Sequence, residues 1–141
     1  IPSSEIKFKY RSTNLSKDLI YLSGTFAGEF SKSELIQKKI NDLKNKKENS
    51  QPIRVKTSGS TFKNPLQQTD KKVWELIRES IEIDKVNKMF GDAKISEKHC
   101  NFMINQDKAS SKDMKNLINF IKENVYKKTG VKLELEIVLT S

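Results

Sequence analysis

The chain has 141 residues, 35% apolar and 32% charged, with 27 Lys plus Arg against 18 Asp plus Glu for a formal charge of +9. This is the composition of one packed domain rather than of a disordered chain, and a lone cysteine beside a lone histidine excludes both a disulfide framework and a structural zinc site. No apolar run approaches the roughly 18 residues that span a bilayer and the first residues lack a signal-peptide layout, so a cytoplasmic setting without metal or membrane is expected.

Ile6, Phe8 and Tyr10 alternate with Lys7, Lys9 and Arg11, the period-two pattern of a strand with one wet face. The apolar runs Leu19–Leu22 and Thr25–Ala27 are expected to form its partner strand. Ser31 followed by Glu34 has the form of a capping box, which predicts a helix carrying Ile36, Ile40 and Leu43 on one face. Lys44, Lys46 and Lys47 gather toward its end, where the helix dipole favours cations, and Asn49-Ser50-Gln51-Pro52 stops it. Ile53, Val55 and Thr57 then alternate with Arg54 and Lys56, a strand that delivers the chain into the turn Ser58-Gly59-Ser60-Thr61-Phe62-Lys63-Asn64-Pro65.

Asp70 is the expected cap of a second helix, whose Val73, Trp74, Ile77 and Ile81 form a stripe with Trp74 as a core anchor. Ser110 and Asp113 form another capping box, followed by Met114, Leu117, Ile118, Ile121 and Val125 at helical spacing and by Gly130 as a stop. Val131, Leu133, Leu135, Ile137 and Leu139 then alternate with Lys132, Glu134, Glu136 and Val138, the clearest strand pattern in the chain. Helices interspersed with strands, without regular alternation, indicate an α+β fold with helices packed on a mixed, largely antiparallel sheet.

Two segments stand out chemically. The turn at 58–65 puts a hydroxyl, an ammonium and an amide where glycine permits a sharp bend and Pro65 restricts Asn64, an arrangement able to grip an anion. The second, Ser96-Glu97-Lys98-His99-Cys100-Asn101-Phe102-Met103-Ile104-Asn105, holds the single histidine and cysteine. Glycine-rich nucleotide loops, zinc-protease and nucleophile-elbow motifs are all absent. By pattern alone, Arg11, Glu134 and Glu136 are solvated strand-face residues and Cys100 a small buried one.

The turn Ser58–Pro65 resembles the signature of the UDP-N-acetylenolpyruvoylglucosamine reductase family, flavoenzymes of peptidoglycan precursor synthesis. Further segments resemble that family in the same order: Tyr10-Arg11-Ser12, Gln51-Pro52, the segment Ser96–Asn105, and Gly130-Val131-Lys132-Leu133-Glu134-Leu135-Glu136-Ile137. The resemblance covers nearly the whole chain and implies its C-terminal portion, without the N-terminal FAD-binding region. It departs at Lys88-Met89-Phe90-Gly91-Asp92, where many relatives carry a Gly-Gly pair, and at Ser58, where glycine or alanine is common. The short spacing before the Ser60 turn indicates the compact subgroup.

The resemblance implies an oxidoreductase that takes hydride from NADPH onto FAD and passes it to the enolpyruvyl group of UDP-N-acetylglucosamine enolpyruvate, giving UDP-N-acetylmuramate. Ser60 matches the proton donor, Arg11 and Glu136 the pair that stabilises the enolate-like intermediate, and Asn64, Lys63 and His99 fall at substrate-side positions. Residues 1–28 would close the FAD-binding domain and residues 29–141 would form the substrate-binding domain. Two other classes compete: an inactive interaction domain standing alone, and a small basic nucleic-acid-binding module. Against the second, residues 1–70 hold 13 basic and 7 acidic side chains, residues 71–141 hold 14 and 11, and no basic arm forms.

Overall fold

The computed structural model describes residues 1–139. After a single 3-10 turn at Ser3–Glu5, β1 (Phe8–Lys9) and β2 (Ser12–Thr13) pair as a tight antiparallel hairpin, Phe8 opposite Thr13 and Lys9 opposite Ser12. This corrects the expected partnership with residues 19–27, which form no regular structure and leave Ile20, Leu22 and Phe26 exposed. Helix α1 (Ser33–Ser50) follows and ends at the expected stop, but Lys32 rather than Ser31 is its N-cap and no side chain caps it. The stripe of Ile36, Ile40 and Leu43 is present and exposed, and none of residues 1–50 is buried.

The packed unit begins at residue 51. Strands β3 (Lys56–Ser60), β4 (Ala93–Ile95) and β5 (Phe102–Asn105) form a sheet in the order β3-β5-β4. Every strand pairing among the described residues is antiparallel, in keeping with the largely antiparallel sheet expected. Helix α2 (Val73–Ser80), the short α3 (Ile83–Val86) and α4 (Ser111–Thr129) complete the α+β arrangement, with α4 lying against β4, β5 and α2.

Helix α4 follows its local signals closely. Ser110 Oγ accepts from Asp113 N–H, Asp113 Oδ2 accepts from Ser110 N–H, and Gly130 closes the other end at φ +74°, a conformation open to glycine at little steric cost. Its face of Leu117, Ile118, Ile121 and Val125 is fully buried against Val73, Leu76 and Ile77 of α2 and against Ile95 and Met103 of the sheet. Each such side chain contributes roughly 1.5–3 kcal/mol through burial.

Two readings change in this unit. Asp70 does not cap α2: Lys72 holds the N-cap position, Glu75 Oε2 accepts its N–H, and Asn64 Oδ1 accepts Val73 N–H from a separate loop. Among the described residues the segment 131–138 forms one bridge, Phe62 opposite Leu135, flanked by bonds from Lys63 N–H to Glu134 O and from Glu136 N–H to Thr61 O. Its alternation nevertheless sorts the side chains as expected, with Val131 and Leu133 buried and Lys132 and Glu134 exposed. Only the short stretch 61–63 is available as a partner, so alternation fixes the face while the ladder stays short.

Candidate active site

Ser60 closes β3 at a break in register. Thr57 pairs with Ile104, but Ser60 pairs with Phe102, and Gly59 between them has φ +87°. A Cβ at Gly59 would meet nothing within 4 Å, so the demand for glycine there comes from the dihedral and not from space. The bulge turns the chain out of the ladder, as such irregularities do beside functional sites.

The next residues are tightly held. Thr61 is fully buried and donates its N–H to Asn101 O at 2.8 Å, and Phe62 is paired through its own peptide with the Asn101 carboxamide. Among the described residues, no hydrogen bond engages Ser60 Oγ.

Around Ser60 lies a cavity of about 180 Å³, whose walls include Arg11, Asn64, His99 and Glu136. Arg11 reaches it from the tip of the N-terminal hairpin, where its φ is +56°, a left-handed conformation uncommon outside glycine. Its Nη2 lies 2.5 Å from Glu136 Oε1, and its guanidinium carbon sits 5.4 Å from the Tyr10 ring centroid. The Glu136 side chain is 23% exposed and that of Arg11 52%, so the pair sits at a half-closed mouth.

Tyr10 and Asn64 tie that mouth together: the Tyr10 hydroxyl accepts from Asn64 N–H at 3.1 Å while the Asn64 carboxamide oxygen caps α2. The Asn64 amide NH2 is left as the group able to meet a ligand. Lys63 stands apart from the cavity, its Nζ 3.9 Å from Glu134, and lines an adjoining hollow of about 450 Å³ with Arg11 and Asn64. Lys9, Arg11, Lys63 and Lys132 outnumber Glu134 around that hollow, a balance that suits an anionic ligand.

His99 Nδ1 accepts from Asn101 N–H, and its ring meets Phe102 edge-on at 5.0 Å between centroids. Burial lowers its pKa from the usual 6.5, partly opposed by a backbone hydrogen bond. Cys100 beside it is 2% exposed and donates to Trp74 O, and burial pushes its thiol up, which makes it a packing residue as expected.

Lys72, Trp74 and Asn101 also line the cavity, although pattern reading placed none of them there. Trp74 is 37% exposed at its edge rather than anchored in the core. Its signal in the sequence is helical spacing, which α2 satisfies through Val73, Leu76 and Ile77 without it.

A family model described as UDP-N-acetylenolpyruvoylglucosamine reductase, C-terminal domain, matches residues 51–140. This chain belongs to that family. Proteins named UDP-N-acetylenolpyruvoylglucosamine reductase align along almost its whole length: that of Pelagibacter ubique is 54% identical over 97% of the chain. Those of Rickettsia massiliae and Rickettsia prowazekii are each 44% identical over 96% of it. The chain spans 44% of the length of each of these relatives. The family match coincides with the packed unit beginning at residue 51, while the wider alignment also takes in the hairpin that carries Arg11.

Among the described residues no group of three or more His, Cys, Asp or Glu side chains is placed to hold a metal ion, and no helix is long and apolar enough to cross a membrane.

Proposed function

We infer that this chain is the substrate-binding and protonating portion of a cytoplasmic UDP-N-acetylmuramate dehydrogenase, an NADPH- and FAD-dependent reductase of peptidoglycan precursor synthesis. Its substrate is UDP-N-acetylglucosamine enolpyruvate. The observation that carries this reading is the meeting of Ser60, Arg11 and Glu136, from three distant parts of the chain, around one small cavity.

The cavity of about 180 Å³ is too small for a flavin dinucleotide and is assigned to the enolpyruvyl group instead. When bound by the remainder of the protein, the flavin supplies the hydride. In keeping with that division, residues 1–28 are assigned to the flavin-binding portion and residues 29–141 to the substrate domain.

Hydride addition to the terminal alkene carbon pushes the π electrons onto the neighbouring carbon and its carboxylate. The Arg11 guanidinium offers a planar fork for that carboxylate and stabilises the charge as it develops. Glu136 occupies the same guanidinium in this structure, so an incoming carboxylate competes with it and the pair must share or part as substrate seats. Ser60 then delivers its proton to the carbanionic carbon and recovers one from solvent, which completes the reduction. Asn64 and His99 orient the substrate at the mouth, and Lys63 supplies a cation from the adjoining hollow.

Ser60→Ala in the full-length protein tests this assignment. Reduction of the flavin by NADPH should persist, while its reoxidation by the enolpyruvyl substrate falls by about 10²–10⁴-fold, the range for loss of a positioned proton donor. Normal reoxidation would remove Ser60 from this role.

A further inference from the structure

Ser60 is the last residue of β3, paired with Phe102 just beyond the bulge, so the ladder holds it from one side only and the residues that follow share in fixing its position. Phe62 is 1% exposed, which places its peptide groups where an unpaired donor or acceptor costs about 1–3 kcal/mol. Its N–H and C=O are not paired by a neighbouring strand. They are paired by one side chain: Asn101 Oδ1 accepts from Phe62 N–H at 3.0 Å, and Asn101 Nδ2 donates to Phe62 O at 2.9 Å. A carboxamide offers an acceptor and a donor side by side at any pH, which an ionised carboxylate of the same shape does not.

The main chain of Asn101 extends the same device in two directions. Its C=O accepts from Thr61 N–H, and its N–H donates to His99 Nδ1. With Nδ1 serving as an acceptor, His99 carries its hydrogen on Nε2 and presents a neutral donor. Asn101 is itself 6% exposed, so solvent does not replace these bonds when one is lost.

We propose that Asn101 is the positioning residue of this site, holding the Ser60 hydroxyl and the His99 imidazole in one fixed frame. The proposal rests on the reading that Ser60 donates the proton. The Asn101 side chain acts on Ser60 through the Phe62 peptide, whereas His99 is held by the Asn101 main-chain N–H, which side-chain substitution leaves in place, so the effect of changing the side chain falls on protonation rather than on substrate capture.

The test uses the full-length protein with Asn101→Ala, which removes both side-chain bonds, and the isosteric Asn101→Asp, which keeps the acceptor and loses the donor. Both variants should slow flavin reoxidation by the enolpyruvyl substrate by roughly 30-fold or more, while substrate KM moves no more than a few-fold. A proton from a fixed donor reaches one face of the carbon and a proton from loose water reaches both. The newly formed lactyl carbon should therefore lose epimeric purity in the variants. Amide exchange at Phe62 should accelerate by about tenfold or more, a readout independent of turnover.

Ser60→Ala run in parallel separates the two claims. If Ser60→Ala abolishes reoxidation while both Asn101 variants keep wild-type reoxidation and a single epimer, the positioning role is overturned and the role of Ser60 stands. A raised KM at unchanged kcat likewise overturns it, since that places Asn101 in binding. If Ser60→Ala is fully active, both claims fall together. Should Asn101→Ala not fold, Asn101→Asp decides by the same three readouts.

Discussion

Helices α1 and α4 carry the same kind of apolar stripe, yet they end in opposite environments. Leu117, Ile118, Ile121 and Val125 of α4 are all 2% exposed or less, whereas Leu35, Ile36, Ile40 and Leu43 of α1 range from 40% to 59%. Periodicity of 3.6 specifies which face of a helix is apolar, and burial needs in addition a surface to receive that face. For α4 that surface is the sheet and α2. For α1 the described residues offer none, and the exposed Ile20, Leu22, Phe26 and Phe30 before it share that condition.

The contrast is broken most sharply by truncating the buried stripe. Ile121 is fully buried, so Ile121→Ala removes packed atoms that neighbours do not refill and should lower stability by about 3 kcal/mol in denaturant titration. A loss below about 1 kcal/mol would mean that the α4 face is not the centre of the core.

Next in size is the cap. Ser110→Ala removes the acceptor for Asp113 N–H and the hydroxyl that donates to Asp113 Oδ2, and should cost about 1 kcal/mol by the same measurement. Those hydrogen bonds hold the Asp113 carboxyl below its usual range. No matching loss is expected at Ser31, which lies outside the α1 cap.

How legible each feature was follows from how far its causes lie along the chain. Both ends of α4 could be read because Ser110, Asp113 and Gly130 act within a turn of themselves. The start of α2 was misplaced because its first N–H is satisfied by Asn64, a loop residue nine positions earlier. Arg11 and Glu136 looked like solvated face residues because alternation assigns a side of a strand and says nothing of what arrives there. Family resemblance singled them out, and the structure brings them within 2.5 Å. Asn101 escaped both routes, since a buried asparagine between Cys100 and Phe102 has no periodic signature and its partner is distant in sequence.

A smaller effect belongs to His99 at the edge of the packed unit. Burial favours its neutral form, so the folded chain takes up the proton at lower pH than the unfolded chain. The stability it contributes is in place above the usual pKa of 6.5 and is lost as pH falls through the lowered folded value. An NMR titration should place the His99 midpoint below 6.5, and His99→Gln should flatten the decline of stability on that acid side. A midpoint at or above 6.5 would contradict the burial of this ring.

The smallest effect expected in this chain is the most informative about α1. Ile40 occupies the centre of its stripe but is 40% exposed, and Ile40→Ala should change stability by no more than about 0.5 kcal/mol. The chain spans 44% of the length of the Pelagibacter ubique relative, and the same site in a full-length protein tests whether further sequence supplies a receiving surface. Ile40→Lys places a charge on that stripe: harmless while solvent covers it, it becomes costly once apolar groups do. A drop in the full-length protein of about 2 kcal/mol or more, against none here, would show that α1 is a docking face whose partner lies in the remaining sequence. Equal and small effects in both would leave its periodicity as a solvent-borne pattern and make α4 the only stripe of the two that the fold uses.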